Sequence, residues 1–178
     1  FILTILGCSS QRNANKAENE QINSFVSDYK VLVLDGVNVI DGTGAPVKFS
    51  MSITIENGKI TAIEKQGEKK IPANAKILKL ENKYVIPGLI EMHAHVTDSY
   101  EEIFKALLSF GITTLRIPAA SAGEMTTIRD KVAKGEMMGP RIFTAGEPID
   151  GTGSVAPFGT IVENEEQMRA EIRRQAKY

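Results

Sequence analysis

The chain has 178 residues, room for about one domain of ordinary size, and a hydrophobic share of 42% that is enough to bury a core. Lysine and arginine (21) balance aspartate and glutamate (22) to a formal net charge of -1, so no electrostatic argument points to nucleic acid as a partner. A single cysteine, Cys8, excludes a disulfide framework and a zinc ribbon.

The chain opens on Phe1 and an apolar run, Phe1-Ile2-Leu3-Thr4-Ile5-Leu6, far shorter than the ~20 residues that span a bilayer. Ile5-Leu6-Gly7-Cys8-Ser9-Ser10 resembles the lipobox of bacterial lipoproteins. That resemblance implies lipidation at Cys8, membrane attachment through it, and a place in the bacterial cell envelope, facing the periplasm or the surface. The plainer reading is an accidental apolar end with a stray cysteine. Residues 1–8 are thus read as a truncated signal and lipobox. Residues 9–29 are rich in Asn, Gln, Glu, Lys and Ser, cannot offset their own ordering entropy, and are expected to form a flexible linker.

Residues 30–86 read as β. Val31-Leu32-Val33-Leu34 and Val37-Asn38-Val39-Ile40 are β-branched runs punctuated by Asp35-Gly36 and Asp41-Gly42-Thr43-Gly44. Met51 to Ile55 alternates, Asn57-Gly58 marks a type I′ hairpin turn, and Lys59 to Ile63 resumes the strand pattern. Lys76 to Leu80 and Tyr84-Val85-Ile86 complete an expected small antiparallel unit.

After Pro87-Gly88 the rhythm changes. Leu89 to Val96 reads as a strand. Ser99 with Glu102 forms a capping-box pattern ahead of a helix with Ile103, Phe104, Leu107 and Leu108 as its apolar stripe, ended by Gly111. Ile112 to Ile117 is the next strand. Ser121 with Glu124 repeats the box before a stripe of Met125, Ile128 and Val132, closed by Gly135. Arg141 to Ala145 is a third strand, followed by a long Gly-rich loop. Asn164 caps a third expected helix carrying Met168 and Ile172. Three β–α units in succession predict a parallel sheet. A closed (β/α)₈ barrel takes about 250 residues, so residues 87–178 are read as the first three units of an incomplete barrel.

Both histidines of the chain lie in Glu91-Met92-His93-Ala94-His95. Side chains alternate along a strand, so His93 and His95 share a face about 7 Å apart, from where two imidazoles can converge on one ion. The alternative is a pair of structural or surface histidines. Glu91, two residues earlier on the same face, is a candidate to orient a ligand imidazole or, equally, a buried ion-pair partner.

Val85-Ile86-Pro87-Gly88-Leu89-Ile90-Glu91-Met92-His93-Ala94-His95 resembles the signature of the amidohydrolase superfamily: an apolar pair, Pro-Gly, two apolar residues, an acid, any residue, then His-x-His. Asp41-Gly42-Thr43-Gly44 and Ile55-Glu56-Asn57-Gly58-Lys59-Ile60 resemble that family's N-terminal β-sandwich. Phe110 to Arg116 and Gly139 to Gly146 resemble its second and third barrel strands. The branch looks most like the imidazolonepropionase-like and Xaa-Pro dipeptidase-like members.

The resemblance implies an α/β fold, a (β/α)₈ TIM-type barrel preceded by part of a small β-sandwich. It implies one or two divalent metals, most simply Zn²⁺, with His93 and His95 as ligands and Glu91 behind them. The function it implies is hydrolysis of an amide or other C–N bond, in a peptide or small cyclic amide, by a metal-activated water. The remaining ligands and the general base are expected beyond Tyr178, leaving no catalytic residue within the chain. Two departures bear on specificity. Many relatives follow the second strand with Asp and a Gly pair, where this chain has Ile117-Pro118-Ala119-Ala120. Some carry a histidine in the loop where it has Asp150-Gly151-Thr152-Gly153-Ser154. Arg116 is a candidate for a substrate carboxylate, with a structural ion pair as the favoured alternative. The departures also motivate a rival reading: a lipid-anchored, catalytically degenerate binding or scaffold protein of the same fold.

Overall fold

A computed structural model describes residues 3–6, 29–154 and 158–178; Cys8 and nearly all of the expected linker lie outside them. The chain forms two compact units, Phe1–Gly88 and Leu89–Tyr178.

The first unit is a mixed sheet of β1 (Leu3–Leu6), β2 (Val31–Val39), β3 (Lys48–Glu56), β4 (Lys59–Lys65), β5 (Lys76–Lys79) and β6 (Tyr84–Pro87). Its order is β1-β6-β2-β3-β4, with β5 also beside β2. The β3–β4 turn forms as the Asn-Gly pair demands, with φ of 50° at Asn57 and 74° at Gly58. Leu32, Leu34, Val37, Val39, Ile53 and Val85 are the core.

Two expectations are corrected. The runs on either side of Asp35-Gly36 are one strand, not two. The pairing with β3 shifts register between Asp35 and Val37, and Gly36 sits at φ 81°, so the Asp-Gly pair makes a bulge instead of a turn. Asp35 supports the bulge by accepting hydrogen bonds from Ser52 Oγ and, at 2.9 Å, Gln66 Nε2. The unit is also not purely antiparallel: β2 pairs with β5 and with β6 in parallel. Hydrophobic alternation carries no strand direction, so this pairing was invisible in the sequence.

The second unit contains β7 (Leu89–Glu91), α1 (Tyr100–Ser109), β8 (Ile112–Ile117), α2 (Ala122–Ala133), β9 (Arg141–Thr144), β10 (Ile149–Asp150), β11 (Thr160–Ile161) and α3 (Glu165–Gln175). Strands β7, β8 and β9 form a parallel sheet in that order, as three consecutive β–α units predict. A short parallel pair, β10 with β11, tightens the Gly-rich loop. One face of β8 turns Leu115 and Ile117 into the core, where they meet Phe104 of α1, Met125 and Ile128 of α2 and Ile142 of β9. Gly111 (φ 80°) and Gly135 (φ 75°) follow the ends of α1 and α2 in the left-handed conformation that closes a helix.

Local signals failed at three points. Strand β7 stops at Glu91 instead of running to Val96, so His93 and His95 lie in the loop beyond it. Neither capping box forms. Ser99 has φ 48°, and neither it nor Ser121 makes a side-chain cap bond. Glu124 instead accepts a 2.9 Å hydrogen bond from Tyr100 Oη, and burial, together with that contact, raises the phenol to about 12. Asn164 does cap α3, accepting from Gln167 N at 3.0 Å. Yet the expected stripe of α3 is outside: Met168 and Ile172 are 45% and 51% exposed, and the buried residue is Glu171.

Candidate metal centre

The loop carrying the histidines begins where Glu91 folds its carboxylate back to accept the His93 N–H at 2.9 Å. A main-chain donor that would continue the β ladder is thereby taken up locally. Glu91 thus sets the backbone of His93 through its main-chain N–H. Ala94 N donates to Arg116 O at 3.1 Å, which keeps the loop against β8.

The turn brings the imidazoles together more closely than two alternate strand positions would. His93 Nε2 and His95 Nε2 stand 3.2 Å apart, with ring centroids 5.1 Å apart and planes inclined by 65°. Two nitrogens each bonded to one tetrahedral zinc at about 2.0–2.1 Å are themselves about 3.3 Å apart. The separation of the two donors therefore matches that of two nitrogens on a shared ion. His95 Nδ1 faces the carbonyl oxygen of Ala119 at 3.4 Å. A proton on Nδ1 donates there and leaves Nε2 as a bare lone pair, the arrangement a ligating histidine takes. His93 Nε2–H then donates to His95 Nε2, a proton that metal binding would displace.

Among the described residues no group of three or more His, Cys, Asp or Glu side chains gathers at one point. A zinc ion held by His93 and His95 would need at least one more protein donor. Arg116 extends from the exposed face of β8, where its Nη1 donates to Met92 O at 3.3 Å. The favoured expectation of a structural ion pair gives way to a backbone contact.

The sequence missed the acceptor on Ala119, which is a main-chain atom and leaves no residue-type signal. It also missed a polar clasp at the same end of the sheet. Arg174 binds both carboxylate oxygens of Glu171, at 2.7 and 2.8 Å, and also Glu147. Gln175 accepts from Glu147 N at 2.9 Å and donates to Glu147 O and Glu171 Oε1 at 3.0 and 2.9 Å. The only advance hint was a glutamate between the apolar residues of α3.

The hydrogen bonds from Arg174 first, then Gln175, hold the Glu171 carboxyl down to about 2, against 4.5 for a free glutamate. A carboxyl lowered on folding stabilises in full above its unfolded value and loses that contribution as pH falls through its folded value. Urea unfolding at stepped pH should therefore show native stability declining between pH 4.5 and 2 more steeply than in Glu171→Gln. Parallel curves for the two proteins would disprove the assignment.

No family model matches the chain. It is 30% identical over 98 residues to a dihydroorotase of Anaeromyxobacter dehalogenans and 38% identical over 91 residues to a dihydroorotase of Elusimicrobium minutum. Those alignments take in 55% and 47% of this chain and 21% and 18% of the relatives, so the chain spans about a fifth of the curated proteins it matches. Its fold is similar to that of a prolidase complexed with N-methylphosphonate-L-proline, with a TM-score of 0.70 at 22% identity, over 83% of this chain and 44% of that one. An amidohydrolase structure gives 0.69 at 19% identity over the same shares. In sequence the chain is similar to these dihydroorotases, and in fold to the prolidase and amidohydrolase structures.

Proposed function

We propose that the protein containing this chain is a metal-dependent hydrolase that cleaves an amide or other C–N bond of a peptide or cyclic amide. The observation that carries the reading is the 3.2 Å approach of His93 Nε2 and His95 Nε2 just past the first of three parallel strands. In barrels built from such units, the active site lies at the C-terminal ends of the strands. The named activities of the relatives, dihydroorotase and prolidase, support the same class of bond. The proposal includes a (β/α)₈ barrel with a small β-sandwich as the architecture of the whole protein.

His93 and His95 would hold a divalent metal, most simply Zn²⁺, which when bound lowers the pKa of water and polarises a carbonyl. The chain's own residues do the rest of what is visible. Ala119 O holds the His95 ring by Nδ1. Glu91 holds the His93 backbone. Arg116, on the open face of β8, offers a guanidinium to a substrate carboxylate. Lipid anchoring at Cys8, in the cell envelope, remains part of the proposal on the strength of the Leu6-Gly7-Cys8-Ser9 pattern. Processing at Cys8 would remove β1 and its pairing with β6 from the mature chain.

The test is to incubate the full-length protein with Zn²⁺ and panels of dipeptides and cyclic amides. Turnover of at least one class is expected, abolished by a chelator and restored by added Zn²⁺. Stoichiometric metal binding with no turnover of any amide would overturn the enzyme reading in favour of a degenerate binding protein.

A further inference from the structure

Hydrogen bonds run unbroken from a buried carboxylate on α3 to the ring of His95, through alternating ends of planar amides. Glu171 Oε1 accepts from Gln175 Nε2 at 2.9 Å. The other end of that side-chain amide, Gln175 Oε1, accepts from Glu147 N at 2.9 Å. Glu147 N–H and Gly146 C=O belong to one peptide plane, and Gly146 O accepts from Ala120 N at 3.0 Å. Ala120 N–H and Ala119 C=O belong to the next plane, and Ala119 O accepts from His95 Nδ1 at 3.4 Å.

Three consequences follow from elementary chemistry. A trans amide is rigid, with its N–H and C=O pointing in opposite directions. Turning either peptide plane therefore breaks the hydrogen bonds on both of its sides. The three amide dipoles point the same way, so each bond polarises the next, and a carboxylate sits at the electron-rich end. Finally, the last acceptor accepts only a ring N–H, which selects the Nδ1–H tautomer of His95 and leaves Nε2 facing His93. Glu171 is buried and is itself held by two bonds from Arg174, so the starting end is fixed. Gly146 sits at φ 87°, and a Cβ there would come within 2.3 Å of Gln175 Oε1, so the crossing requires glycine.

We propose that Gln175 and Glu171 are positioning residues for His95, acting through the Gly146–Glu147 and Ala119–Ala120 peptides to fix its tautomer and strengthen Nε2 as a metal donor. Metal ligands are commonly oriented by a carboxylate bonded to the ring directly; here three amides stand between. The sense of the effect on metal affinity rests on reading His95 as a ligand, but the tautomer does not.

The experiment uses full-length protein labelled with ¹⁵N-histidine, metal-free, at a pH where the ring is neutral. Long-range proton–nitrogen correlation spectra should show the His95 proton on Nδ1. Zn²⁺ affinity is then measured by competition with a chromophoric chelator. Gln175→Met, close in size, should shift His95 towards a mixture of tautomers and weaken Zn²⁺ binding about tenfold, the lower end of the range for groups behind a ligand. Glu171→Gln keeps the acceptor but removes the charge, and should act in the same direction with a smaller effect. Met125→Ala, a core change at a side chain that makes none of the chain's hydrogen bonds, should lower the melting temperature and leave the His95 spectrum as it is. A native Nε2–H tautomer overturns the proposal, as does an unchanged His95 spectrum in Gln175→Met. An equal tautomer shift in Met125→Ala overturns it too, since general loosening would then suffice. A tautomer shift in a protein that binds no Zn²⁺ would leave the relay standing and refute the ligand reading alone.

Discussion

Alanine at both His93 and His95 should abolish zinc binding at this position and lower amide hydrolysis by at least about 10³-fold, because a metal centre contributes several kcal/mol to the transition state and each 1.4 kcal/mol is tenfold. Both side chains are exposed, and their ring nitrogens meet each other and one main-chain carbonyl. Removing them opens no cavity and strands no buried group. The stability of the metal-free double variant should therefore stay within about 0.5 kcal/mol of the metal-free parent, as for most surface changes. Metal analysis, a hydrolysis assay and urea unfolding of the full-length protein check the three parts separately. Unchanged zinc stoichiometry at full activity would refute the ligand assignment. A large loss of metal-free stability would mean that the pair is structural.

Phe104→Ala should be the most destabilising single truncation of the second unit. The ring is fully buried among Leu115, Met125, Ile128 and Ile142, with Tyr100 beside it at 6.0 Å between ring centroids. The backbone presses on it closely enough that a Cβ on Gly139 would lie 2.7 Å from Phe104 Cδ2. Packing of this kind cannot collapse into the space a phenyl ring leaves, so the cost should be about 3–5 kcal/mol. Phe110→Ala, at a ring that is 74% exposed, is the control and should cost under about 0.5 kcal/mol. Equilibrium unfolding of the two variants decides the matter. Equal midpoints would show that α1 does not pack on the sheet as described.

What could be read in advance were features whose causes lie within a few residues. Asn57-Gly58 makes its turn because positive φ at two successive positions is a local matter. Gly111 and Gly135 end their helices for the same reason. The apolar spacing that placed Phe104, Met125 and Ile128 on inward faces needs only the helical repeat. Parallel pairing of β7, β8 and β9 follows from strands separated by helices. His93 and His95 were legible as a pair because two residues of separation leave them little room to part.

Tertiary structure decided whatever depends on a partner distant in the chain. Asp35-Gly36 has the composition of a turn and became a bulge, because Ser52 and Gln66 hold Asp35 inside a continuous strand. Glu124 had the spacing of a capping box and was taken by Tyr100 from the preceding helix. Glu171 sits between Met168 and Ile172, yet it is the one buried, because Arg174, Gln175 and the loop at Glu147 meet there. The sequence by itself determined that His93 and His95 lie close together after the first barrel-type strand. Only the folded chain decided which ring nitrogens they present, since the acceptor that orients His95 is a carbonyl on another loop, and a backbone atom has no letter in a sequence.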